Sequence, residues 1–238
     1  MTTRTSSASR QDTRPVATSS SSWIPLLAVV IGLAAAIIIL PAWMPNITAS
    51  LLGADAKFYW YLSRATAFVG YGLLWLSMSM GIMITNKMAR VWPGGPTAAA
   101  LHQHTSLLGL GFGLVHGLLL IGDQYINFNL AQVLTPFSTA SYLPQWVGLG
   151  QLAFYTWAVV VFSYYIRNQI GRKTWRSIHF ASYLVFALTL LHGIFSGTDT
   201  GKIWVTGMYW FSGSMILFLT FYRILYSINK ARQAAQPE

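Results

Sequence analysis

Five histidines are the residues of this sequence best suited to chemistry, and they fall in only two segments. Leu101–Asp123 (LHQHTSLLGLGFGLVHGLLLIGD) carries His102, His104 and His116, and Ile178–Gly193 (IHFASYLVFALTLLHG) carries His179 and His192. Both segments are otherwise almost wholly apolar. An ionisable side chain within a membrane-spanning helix is costly and marks a site by default. Imidazole is a common metal ligand, and haem iron accepts it axially. The chemistry to test is therefore metal or haem ligation inside a membrane.

The rest of the chain has to supply helices that hold those rings. Of 238 residues, 54% are hydrophobic, 8% are charged and none is cysteine. A soluble domain carries about a quarter charged residues, so the composition indicates a polytopic membrane protein with one bundle. Lack of cysteine excludes disulfides, thiolate-ligated haem and cysteine-held iron–sulfur clusters. Residues 1–22 are Ser/Thr-rich with three arginines and are expected to form a disordered tail. A first apolar run, Ile24–Leu40, ends at Pro41 and reads as a retained anchor, since no signal-peptidase pattern follows. Asn46–Thr48 matches a glycosylation sequon, a pattern common by chance.

Five further spans are expected near Phe58–Ile84, Thr97–Gly122, Pro144–Ile166, Ser177–Ser196 and Ile203–Tyr226. Each approaches the ~20 residues that cross the hydrocarbon. The prediction is an all-α bundle of six transmembrane helices over 23–228, followed by a short tail over 229–238. Gly94-Gly95-Pro96 and Gly171 mark tight turns, and the 123–143 connection reads as an ordered cap.

Twelve of the 15 Lys and Arg residues fall on one side, among them Lys87, Arg90, Arg172 and Arg176. The positive-inside rule makes that side cytoplasmic, with both termini there. The net charge of +10 follows from this distribution and indicates no nucleic-acid surface. A bacterial inner (plasma) membrane is the expected location. The third and fifth helices then run in parallel.

His102 and His116 are 14 residues apart, a rise of ~21 Å that returns to within about 40° of the starting face. His179 and His192 are 13 apart, a rise of ~20 Å. In parallel helices His102 shares a depth with His179, and His116 with His192. Two levels of two imidazoles suit two bis-histidine haems between helices 3 and 5. On an ideal helix, however, His192 lies about 140° round from His179. His104 points away from the His102 face and is the weaker ligand candidate, better placed to meet a propionate or a headgroup.

Gly109 and Gly113 lie on the stripe between His102 and His116, where small residues would admit a flat macrocycle. Helix packing enriches small residues in the same way. Phe186 falls midway between the levels. Arg90, Arg172 and Arg176 are placed to meet propionates of the inner haem, although topology alone accounts for such charges. Arg64 lies within an apolar span and requires a specific partner, with the outer haem as candidate. The competing reading of the histidines is hydrogen bonding between helices, or a path for protons or metal ions. A zinc site would want Cys, Asp or Glu ligands, and the spans offer none.

The region Tyr59–Tyr226 resembles the ferric reductase-like transmembrane domain, the membrane module shared by ferric reductases and NADPH oxidases. The resemblance lies in the LH…H arrangement at His102 and His116, in WRSIHFASY and LLHGIFSGTD around His179 and His192, and in the 14-then-13 spacing. It implies six helices with two b-type haems, an inner one on His102/His179 and an outer one on His116/His192. Twelve residues follow Tyr226, too few for the flavin and nicotinamide domains of larger members. The GLG and GFG runs lie inside spans and are not dinucleotide loops.

The function expected is a di-haem b-type membrane cytochrome that carries single electrons from a cytoplasmic donor to an extracytoplasmic acceptor. The donor is a flavoprotein reductase or a quinol; the acceptor is ferric iron, oxygen or a redox partner. Two alternatives stand beside it. One is a haem-bearing subunit of a larger electron-transport or photosynthetic complex. The other is a non-redox proton or metal-ion transporter, a class that often shows internal repeats and broken helices.

Overall fold

The computed structural model describes residues 57–234, together with the isolated position Ile31. The expected tail over 1–22, the Ile24–Leu40 run, the 46–48 sequon and the last four residues lie outside the described residues. All regular structure among the described residues is helical: α1 Phe58–Thr85, a 3₁₀ turn Met88–Arg90, α2 Gly95–Leu119, α3 Leu130–Leu134, α4 Pro144–Ser163, α5 Arg167–Ile170, α6 Arg172–Phe180, α7 Ser182–Ser196 and α8 Ile203–Ala234.

Four stretches are long and apolar enough to cross a membrane: Phe58–Thr85, Pro144–Ser163, Arg172–Ser196 and Ile203–Gln233. α2 has the length, with 25 residues. Its three histidines together with Gln103, Thr105 and Ser106 make it too polar to count among them. α8 keeps large apolar side chains on its outer face, among them Trp210 at 74% and Leu217 at 72% exposure. Such a surface suits lipid.

Side-chain contacts fix the directions. α1 and α2 are antiparallel, since Ser63 meets His116 while Ser77 meets His102. α4 and α7 are antiparallel, with Tyr142 bonded to Ser196 and Trp146 stacked on Phe195 at 4.0 Å. α8 runs parallel to α1: Phe68 packs on Trp204, Tyr71 on Ser212, and Asn86 Nδ2 donates to the Leu219 carbonyl. The core is an apolar slab of Tyr71, Leu74, Leu110, Trp157, Val185 and Phe186, among others. Phe186 stacks on Tyr71 with ring centres 6.2 Å apart.

Glycine is required at two of the turns. Gly94 and Gly171 precede α2 and α6 with φ of +101° and +82°, values that only glycine adopts without strain. The 123–143 connection is ordered: α3 opens on a capping box in which Asn129 Oδ1 accepts from Gln132 N–H and Gln132 Oε1 accepts from Asn129 N–H. Gln151 on α4 then donates to the carbonyls of Gln132 and Val133.

The structure differs from the sequence expectation at two helix boundaries. The fifth span begins at Arg172, ahead of the expected Ser177; Ala181, which separates α6 from α7, keeps helical angles (φ −62°, ψ −11°), and Arg172–Ser196 forms one continuous span. The last helix does not stop near Tyr226 but continues to Ala234. No glycine or proline lies between Tyr226 and Ala234, and Lys, Ala, Arg and Gln all favour helix.

Candidate functional site

The structure brings His102 together with His179 and His116 with His192. Ring centres are 5.9 Å apart in the first pair and 6.3 Å in the second, with interplanar angles of 79° and 69°. One metal ion held between two imidazoles, with bonds of ~2.0–2.1 Å, sets ring centres roughly 6 Å apart. Both separations fit that requirement. An unbroken α-helix would leave His192 on a different face from His179. In the structure both rings nevertheless meet their partners on α2.

The partners of Nδ1 decide which ring nitrogen can ligate. Nδ1 of His102 lies 2.8 Å from the Ser77 carbonyl, and Nδ1 of His116 lies 2.9 Å from the Ser63 carbonyl. A carbonyl can only accept, so Nδ1 carries the proton and Nε2 keeps its lone pair. Each serine hydroxyl donates to the backbone carbonyl of the histidine it faces, Ser77 to His102 at 3.1 Å and Ser63 to His116 at 3.2 Å. Nδ1 of His192 donates to the Trp146 carbonyl at 2.8 Å, with Ser196 Oγ at 3.2 Å. Anchoring Nδ1 on an acceptor is how proteins orient metal-binding imidazoles and fix their tautomer.

These contacts reveal a register that reasoning from single residues missed. Ser63, Gly70 and Ser77 follow one another at seven-residue intervals on α1, as His102, Gly109 and His116 do on α2. In the antiparallel pair each serine faces a histidine. The glycines meet between them: a Cβ on Gly70 would touch the Gly109 carbonyl at 3.5 Å. Ser63 and Ser77 are 1% and 4% exposed. The repeated 14-residue spacing was the available signal.

Two further glycines make room for imidazoles. A Cβ on Gly81 would lie 3.2 Å from the His102 ring, and one on Gly150 would lie 2.5 Å from His192 Nδ1. At Gly109 a Cβ would meet the Trp157 indole at 2.7 Å, so this glycine makes room for packing between α2 and α4. Gly113 has Phe154 at 3.6 Å and also borders a cavity of about 250 Å³. That cavity reaches His116, His192, Arg64, Gly150 and Asp199, with an otherwise mainly apolar lining.

Arg64 bonds Asp199, which is 6% exposed and also accepts from Lys202 Nζ at 2.8 Å. Its guanidinium lies over Trp60, 5.6 Å from the ring centre. Arg64 Nε is buried without a hydrogen-bond partner among the described residues, leaving a donor beside the cavity. Arg90, Arg172 and Arg176 are exposed and distant from that cavity. His104 is exposed and donates from Nδ1 back to the Ala100 carbonyl of its own helix. It joins neither pair. Among the described residues no group of three or more His, Asp or Glu side chains converges.

No protein-family model, curated protein or solved structure matches the chain.

Proposed function

We propose that this protein is a di-haem b-type membrane cytochrome, similar to the ferric reductase-like transmembrane domain, that carries single electrons across a lipid bilayer. The observation that supports the reading is the pair of imidazole couples, His102/His179 and His116/His192, with ring centres near 6 Å and Nε2 left free in the three rings whose Nδ1 is anchored. Bound haem supplies the one-electron chemistry. A haem held by two histidines at each level would be suited to carrying electrons, not to binding oxygen.

The chain's own residues orient the rings, exclude water and place charge. Ser63, Ser77 and Trp146 hold three imidazoles by their Nδ1 protons. The aromatic slab of Tyr71, Trp157 and Phe186 keeps the space between the levels dry. Arg64 offers a buried donor at the outer level, where an anionic carboxylate of the cofactor would find it. The sequence is expected to cross the membrane six times, counting α2 and the apolar run Ile24–Leu40, with the basic ends facing the cytoplasm of a bacterial inner membrane. A separate flavoprotein reductase or quinol delivers electrons on the Arg172/Arg176 side. Ferric iron, oxygen or a redox partner takes them on the Asp199/Lys202 side.

Among the described residues the histidines couple in twos, with no third ligand nearby. That arrangement favours haem over a metal-ion path. A reduced-minus-oxidised absorption spectrum of the purified protein tests the reading. Sharp low-spin b-type bands are expected, and a spectrum without haem bands after haem-sufficient expression overturns it.

A further inference from the structure

The four paired histidines are not held equally. His102, His116 and His192 each donate Nδ1–H to a backbone carbonyl. Among the described residues the His179 ring makes no hydrogen bond. Its ring instead stacks on Trp175, one helical turn earlier, with centres 5.3 Å apart and planes at 27°.

The surroundings of His179 are loose in the same way. α6, which carries it, has nine residues and buries none fully. Trp175 Nε1 is itself buried with no acceptor among the described residues.

We infer that Trp175 is the positioning residue for His179, and that stacking in place of a hydrogen bond makes His179 the one releasable ligand of the four. The inference rests on the haem reading above. Rotation of an imidazole with a bonded Nδ1 breaks a hydrogen bond; rotation of His179 breaks only its stack. Without the indole face nothing among the described residues fixes the plane of His179. The inner level is therefore where an outside ligand can displace a histidine, while the outer level stays closed.

The test uses the full-length protein in lipid nanodiscs, with carbon monoxide as the probe of an open axial position. Wild type should hold both haems low-spin and bind little carbon monoxide when reduced. Trp175→Leu, which keeps apolar bulk and removes the stack, should turn one haem of the two high-spin and bind close to one carbon monoxide per chain. Added free imidazole should restore the low-spin spectrum. Trp175→Phe keeps a ring face and should retain the wild-type paramagnetic signal, including the strong anisotropy expected of axial planes set at a steep angle.

Two low-spin haems in Trp175→Leu, with no carbon monoxide bound beyond wild type, would overturn the inference and leave the haem reading intact. Loss of the low-spin inner signal in Trp175→Phe would also overturn it, whatever the folding of the leucine variant. Wild-type protein without haem bands would remove the reading beneath it.

Discussion

Gly150 is a sharp point at which to perturb the site. A Cβ there would stand 2.5 Å from His192 Nδ1 and 2.7 Å from Cε1 and Cγ, where ordinary contact begins at 3.4 Å. The imidazole must then retreat from α4 by about 1 Å to reach ordinary contact. Its bond to the Trp146 carbonyl, 2.8 Å long, would stretch beyond hydrogen-bonding range. A buried group left unpaired costs about 1–3 kcal/mol, and overpacking costs about 1–3 kcal/mol more. Their sum weakens the outer haem by roughly thirtyfold or more, at 1.4 kcal/mol per factor of ten. Gly150→Ala should therefore purify with close to one haem per chain, the remaining one on His102 and His179. Gly111 is the control, since a Cβ there meets nothing within 4 Å; Gly111→Ala should keep both haems. Two haems in Gly150→Ala, with an unshifted outer midpoint potential, would refute the argument that this glycine makes room for the ligand.

Three more outcomes follow from the same geometry. His102→Ala should lose the inner haem while His104→Ala keeps both, because His104 bonds only its own helix; haem content of the two variants decides it. Ser77→Ala and Ser63→Ala keep the backbone carbonyl on each Nδ1 and remove only the hydroxyl that donates to the histidine carbonyl, so each should weaken the haem at that level by about tenfold or less, measured by haem transfer to apomyoglobin. Arg64→Met strips the buried Asp199 of its main partner and should lower thermal stability by about 1–3 kcal/mol, whereas Lys202→Met, on a side chain 56% exposed, should change it by less than about 1 kcal/mol.

The sequence carried the helices and the levels of the histidines, because both depend on local composition and on spacing along one helix. What it hid depended on a second helix. Ser63 and Ser77 look like ordinary small polar residues of an apolar span until the antiparallel register sets them against His116 and His102. Gly150 bears on His192 only once α4 and α7 are packed, and Arg64 finds Asp199 at a separation of 135 residues. On an ideal helix the 13-residue spacing turns His192 away from His179, and only the packed helices show both rings meeting α2. Gly109 read plausibly as an approach for a macrocycle because nothing on α2 itself points to Trp157.

The most direct measurement of the central claim is haem stoichiometry by pyridine haemochrome, made on wild type beside His179→Ala and His192→Ala. The account predicts two b-type haems per chain in wild type, one in each variant, and distinct midpoint potentials for the survivors. Fewer than half a haem per wild-type chain, or two haems retained in either variant, would contradict it.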